Sequence, residues 1–168
     1  MKKLTMTITL SLALGMIVVP GAMAQTVAEQ MTGLQNMCTQ SADARMARQS
    51  ESSLYERLGG YDKILEFCNE IVRLHRINPD FEVMFRHVDG DKLAHEVADF
   101  ISAGTGGDAT YSGRSLPASH SLLRLTDADF LSAGGDIMTA MKNKGHGQNE
   151  IDEMVCILVS LKDQVVLK

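Results

Sequence analysis

Tyr111-Ser-Gly-Arg-Ser-Leu-Pro-Ala-Ser-His-Ser-Leu-Leu-Arg-Leu-Thr-Asp-Ala-Asp-Phe130 carries a single histidine, His120, near its centre. Ser115 has the side chain of a helix cap, and Pro117 suits a first helical turn, where its missing N–H is no loss. A short helix is therefore predicted. Leu116, His120 and Leu123 fall on it at i, i+4 and i+7, so the imidazole shares a face with two leucines and points inward. Thr126 and Asp129 have the spacing of a capping box and predict a second helix opening at Phe130. Taken alone, a histidine on an apolar helix face is a core residue hydrogen-bonded to a carbonyl. Its surroundings decide whether it is more than that.

Upstream, Asp89 is a candidate cap for a helix along which Leu93, Val97, Phe100, Ile101 and Gly104 recur at helical spacing, and which Gly106 and Gly107 stop. Before it, Tyr61 to about His75 reads as a long helix with Ile64, Phe67, Cys68, Ile71, Val72 and His75 on one face. Pro79 ends that pattern, and Phe81 and Phe85 fall in a tight connection. Leu54-Tyr-Glu-Arg-Leu-Gly-Gly60 is a shorter helix with a glycine stop. Downstream, Phe130, Ile137 and Met141 mark a helix containing Gly134 and Gly135. Each glycine costs a helix about 1 kcal/mol against alanine, which predicts the close approach of another backbone or a flat ligand as compensation. Gly145 and Gly147 then break the chain. Asn149 is expected to cap the last helix, with an acidic first turn (Glu150, Asp152, Glu153) and a stripe of Ile151, Met154, Val155, Leu158, Leu161 and Val165. No segment alternates with period two, so the fold class is all-α.

Residues 1–24 read as an export signal: Lys2 and Lys3, an apolar run from Ile8 to Val19, and the small-x-small site Ala22-Met23-Ala24 before Gln25. Cleavage after Ala24 and export to a periplasm or the exterior are expected, the alternative being an uncleaved anchor. The formal net charge is −5, and loss of the two lysines leaves −7. An acidic chain without a basic stripe argues against nucleic acid and against anionic membrane surfaces as partners. Cys38, Cys68 and Cys156 match neither a zinc site nor a Cys-x-x-Cys-His haem attachment. Cys68, on the predicted buried face, reads as a free core thiol; Cys38 could pair with Cys156, which the sequence leaves open. Residues 25–52 form an extension with an amphipathic stripe of Val27, Met31, Leu34 and Cys38. The stripe is expected to pack on the domain, the alternative being a partner or membrane face.

Tyr111-x-Gly-Arg114, the short capped helix with His120, and Leu125-Thr-Asp-x-x-Phe130 resemble the proximal half of the haem pocket of group I truncated haemoglobins. The likeness extends over roughly Ser53 to Val166, giving a domain of residues 53–168. It includes Leu54-Tyr-Glu-Arg-Leu-Gly-Gly60, Asn78-Pro-Asp-Phe81 leading to Phe85, the Gly106-Gly107 pair, and Glu150-Ile-Asp-Glu-Met154. The resemblance implies a two-over-two helical sandwich enclosing non-covalent haem b. It implies His120 as the proximal iron ligand, Phe85 and Phe100 as aromatic walls, and Arg114 beside a haem propionate. Leu116, Leu123, Phe130, Leu93 and Val97 complete the implied cofactor pocket. Globin iron needs one neutral imidazole on its proximal side and an open position opposite.

On the distal side the sequence departs from that family. Ile71 and Val72 stand where the resemblance would place phenylalanine and tyrosine, and Leu93 where it would often place glutamine, with Val97 one turn on. A hydrogen bond to the gas is typically worth about 1–3 kcal/mol, so its loss is expected to speed O2 escape roughly ten- to a hundredfold. CO should suffer less, and oxidation to ferric haem should be easier. His95 is a candidate sixth ligand only if the helix is kinked or the register slips, because it lies about 200° round the helix from Leu93. His75 is expected in a core or interhelix hydrogen bond, His87 near the propionate edge, and His146 in a solvated turn. The implied function is reversible binding of O2, NO or CO. The alternatives are a haem enzyme disposing of nitric oxide or peroxide, such as an NO dioxygenase with a redox partner not identifiable from the sequence, and a haem-relay or haem-free binding module.

Overall fold

Nine α-helices and a closing 3₁₀ turn (Lys162–Gln164) make up the regular structure of residues 25–167, the part that the computed structural model describes. Residues 1–24, where the sequence predicts an export signal, lie outside the described residues. In chain order the helices are α1 (Val27–Gln40), α2 (Ala42–Glu51), α3 (Leu54–Arg57), α4 (Tyr61–Ile77), α5 (Glu82–Phe85), α6 (Gly90–Thr105), α7 (Leu116–His120), α8 (Asp127–Asn143) and α9 (Gln148–Leu161). No helix among the described residues is long and apolar enough to cross a membrane.

Helix boundaries follow side-chain caps. Thr26 with Glu29, Ser53 with Glu56, and Thr126 with Asp129 all close reciprocal capping boxes, and Asp89 accepts from the Lys92 N–H. Each such cap is worth about 1 kcal/mol by satisfying N–H groups the helix leaves free. Because Thr126 is the cap, α8 begins at Asp127 and not at Phe130. The last helix differs more. Gly147, without a side-chain cap, precedes it in place of the expected Asn149, and its regular hydrogen bonding ends at Leu161, before Val165. At the end of α6, Gly106 sits at φ +104°, a left-handed conformation that glycine adopts without the Cβ clash of other residues.

Two helix pairs build the sandwich: α4 lies against α6, α8 lies against α9, and α4 also packs across α8. Ile64, Phe67, Cys68, Ile71, Val72 and His75 are the buried face of α4, as its periodicity predicts. All but His75 join Leu54, Leu58, Ala94, Ala98, Met141, Ile151 and Met154 in one continuous core. Cys68 is a buried free thiol, and burial pushes its pKa far up, so it is chemically quiet.

The extension is part of this body. α1 rests on α8 and α9, and its Cys38 is disulfide-bonded to Cys156 of α9, with Cα atoms 5.3 Å apart. Beside it, Arg57 donates to both carboxylate oxygens of Glu153 at 2.9 Å and to Glu150 at 3.0 Å, while Arg48 of α2 approaches Glu153 at 3.6 Å. Glu153 is only 6% exposed, so these arginines neutralise a carboxylate that burial alone would strongly disfavour.

Two expectations change here. A Cβ added at Gly134 or Gly135 would meet nothing within 4 Å, so no other backbone packs against these glycines. His146 is not a solvated turn residue. It is half-buried with its ring edge-on to Phe67 at 5.2 Å, its Nε2 is buried without a partner, and desolvation lowers its pKa.

Candidate functional site

α7 is the shortest way to set one imidazole in place. Ser115 accepts from the Ala118 N–H, Pro117 occupies the first turn, and five residues later the helix is over at His120. His120 Nδ1 lies 2.7 Å from the carbonyl oxygen of Leu116. A carbonyl can only accept, so Nδ1 must carry the proton. Of the two neutral tautomers this selects the one with Nε2 as a bare lone pair, the form a metal ligand requires. Leu116 and His120 are half-buried, as the shared face predicts. Leu123 is not on that face: it lies beyond the helix, in a turn where its N–H donates to the His120 carbonyl, and is 41% exposed. The same turn leaves Leu122 89% exposed and holds Arg124 at φ +52°, a conformation that side-chain-bearing residues rarely adopt.

α6 supplies the second wall, and its packing differs from the expected stripe. The buried side runs through Gly90, Ala94, Ala98, Ser102 and Thr105, small groups that let α6 lie close against α4. Leu93, Val97, Phe100 and Ile101, the larger apolar residues, fall to one side and stay half-exposed. Leu93 and Val97 pack against the core that contains Ile71 and Val72, each 6% exposed. All four residues expected on the distal side thus belong to or border one core, and none of their side chains carries a hydrogen-bond donor. The small-residue register at i, i+4, i+8 was visible in the sequence but was masked by the stronger apolar signal one position earlier.

The rims are aromatic and polar. Phe100 packs edge-to-face on Tyr111 at 5.2 Å, and the Tyr111 hydroxyl donates to the Arg114 carbonyl at 2.6 Å. Burial, with Glu96 nearby, raises the Tyr111 pKa and keeps that hydroxyl a donor. Sequence reasoning did not single out Tyr111 as part of the wall. Arg114 is exposed and donates to the Ala118 carbonyl, which fastens the start of α7. Phe85 is half-buried, its ring 5.1 Å from that of His75. His75 is held in turn by Asp136 of α8 at 2.8 Å, an acceptor that Asn78 shares at 2.9 Å. Phe130 is half-buried at the start of α8.

The other histidines do not face this space as ligands. His95 is exposed, with Nδ1 2.8 Å from the Asp91 carbonyl oxygen of its own helix, and His87 is exposed. Among the described residues no group of three His, Cys, Asp or Glu side chains could hold a free metal ion. A metal on His120 would have to arrive with its other ligands already attached.

No protein-family model matches the chain, and no curated protein matches it significantly. Solved structures do. The 2/2 haemoglobin of Synechococcus sp. PCC 7002, in a cyanomet state with covalently attached haem, is 26% identical, with a TM-score of 0.63 over 68% of this chain and 98% of that one. The truncated haemoglobin of Tetrahymena pyriformis in its Fe(III) form is 19% identical, with a TM-score of 0.66 over 70% of this chain and 100% of that one. The chain thus has the truncated, two-over-two globin fold, with α1 and α2 preceding it.

Proposed function

We propose that haem b binds between α6 and α7 and that the protein, in the manner of group I truncated haemoglobins, reversibly binds a diatomic gas, O2, NO or CO. The observation that carries this reading is His120: its proton is pinned on Nδ1, Nε2 is free, and large apolar side chains on α6 are left half-covered. A flat apolar macrocycle bringing four nitrogens of its own would cover those side chains and needs only one further ligand from the protein. When bound, haem supplies an iron with one position left for a gas.

His120 is the group that would hold the iron, while Phe85, Leu93, Val97, Phe100, Leu116 and Phe130 line the ring's surroundings. Leu123 and Arg114 stand at the exposed margin, where a propionate would lie. Attachment is non-covalent in this reading with respect to thiols, since Cys38 and Cys156 are bonded to each other and Cys68 is buried. Ile71, Val72, Leu93 and Val97 would exclude water from the gas and offer it no hydrogen bond, so fast O2 release is the expected behaviour. That wall also lacks an acid–base group of the kind peroxide cleavage uses, which favours gas binding over a peroxidase. The disulfide supports export, because such bonds persist in oxidising compartments.

Optical spectra of the haem-loaded protein in ferric, ferrous and CO-bound forms test the reading. A five-coordinate ferrous form that binds CO rapidly, unchanged in His95→Ala, is expected. A six-coordinate ferrous form that relaxes in His95→Ala would overturn the open gas site, and failure to take up haem would overturn the function as a whole.

A further inference from the structure

Beneath α1 lies a half-open cavity of ≈ 350 Å³ between α1, α8 and α9, and His120 is not among the residues that line it. Its walls include Leu34 of α1, Phe130 and Met138 of α8, and Val155 and Leu158 of α9. Gly33 of α1 and Gly134 of α8 also line it, and a Cβ at either would meet nothing within 4 Å. Glycine weakens a helix, and here no close contact requires it. The void is therefore kept open by residue choice on two separate helices, where alanine or leucine could have filled it. Cys38–Cys156 ties α1 to α9. Near the start of α1 the rim is polar: Gln25, Glu29 and Gln30.

We infer that this cavity is a second binding site, taking a single medium-length alkyl chain that carries an uncharged polar head such as an alcohol, ester or lactone. The volume is more than twice the ~150 Å³ of an apolar cavity that takes up benzene, which suits a chain of about eight to ten carbons. The head group follows from the rim. Among the described residues no lysine or arginine lines the cavity, so a carboxylate would find no counter-charge. Glu29, whose Oε2 accepts from the Thr26 N–H and hydroxyl at 2.8 and 3.0 Å, sets a carboxylate at the rim that disfavours an anionic head further. The Gln25 amide remains as donor and acceptor for a neutral oxygen, while the Gln30 amide is held on the Gln25 carbonyl at 3.0 Å. Phe130 belongs both to this cavity and to the margin of the proposed haem site, so its ring is a partition between the two spaces.

The test uses protein beginning at Gln25, with its disulfide intact and methionine methyl groups labelled with carbon-13. It is titrated with octan-1-ol, in the ferrous CO form if haem is bound and as purified if not, so the result does not depend on the haem reading. The Met138 methyl resonance is expected to move saturably while that of Met141, in the closed core, stays put. Gly134→Leu should weaken the response at least tenfold, and so should Gly33→Leu from the opposite wall, which guards against one variant failing to fold. Octanoate should need at least tenfold higher concentrations, and octylammonium binding more tightly than octan-1-ol would overturn the uncharged head. A Met138 resonance that does not saturate, or equal affinity in both leucine variants, overturns the site; equal binding of octanoate overturns the uncharged head.

Discussion

Neighbouring residues on α6 have opposite fates. Ala94 and Ala98 are fully buried against the core, whereas Leu93 and Val97, each one position earlier and far more apolar, remain half-exposed. Hydrophobicity alone would have placed them the other way round. Small side chains let two helices come close, and large ones are held back at a margin where the protein itself does not cover them. The same contrast separates the two ends of α8. On the α9 side the extension is fastened by a disulfide and a buried ion-pair network, while on the α7 side the chain is a five-residue helix and an exposed turn.

If that contrast is real, perturbations on the closed side should cost far more than those on the open side. The double variant Cys38→Ser, Cys156→Ser removes a crosslink spanning 118 residues and should lower unfolding free energy by about 5 kcal/mol in urea titrations, on the chain-entropy account of disulfides. A loss below about 1 kcal/mol would mean that α1 is held mainly by its other contacts. Ala98→Leu should cost about 2–3 kcal/mol through overpacking between α6 and α4. Val97→Ala, its neighbour, should cost less than about 1 kcal/mol in haem-free protein because its side chain is only partly buried. Equal losses in this pair would remove the distinction between the faces.

Smaller effects sharpen the picture. Gly134→Ala should raise the urea midpoint, by up to about 1 kcal/mol in free energy, since the new methyl meets nothing and the helix gains propensity. A loss would show that Gly134 serves a contact absent from this arrangement. His146 tests burial by pH. Desolvation lowers its folded pKa below the ordinary 6.5, against Glu150 and Glu66, which raise it, and Lys63, which lowers it. The unfolded chain therefore binds the proton more readily, and stability contributed by the neutral ring is lost as pH falls below about 6.5. The wild type should lose more stability than His146→Gln between pH 7 and 5; identical slopes would mean that the ring is as solvated in the fold as in the unfolded chain.

Much of the fold was legible because its boundaries are written in local chemistry. The Ser115, Thr126 and Asp89 caps and the α4 stripe depend on residues within one or two turns of one another, and they appear where the sequence places them. His120 and the short helix beneath it were legible for the same reason. What escaped depends on contacts far along the chain. His146 is desolvated by Phe67, distant in sequence; the interhelix hydrogen bond of His75 is as expected, but its partner, Asp136, is 61 residues away and was not legible. Leu123 fell off its face because α7 ends sooner than a heptad count supposes, and Asn149 lost its role to Gly147 because backbone geometry at the Gly145 break starts α9 earlier. The α6 register was misleading because periodicity weighs large apolar residues most, and these are the ones kept out of the interior.

The most direct measurement is the optical spectrum of haem-loaded protein against His120→Gly, with and without added imidazole. A proximal imidazole spectrum in the wild type, lost in His120→Gly and restored by imidazole, is what the arrangement of α7 predicts. An unchanged axial spectrum in His120→Gly would contradict it, and would move the iron ligand, and with it the whole haem site, elsewhere in the molecule.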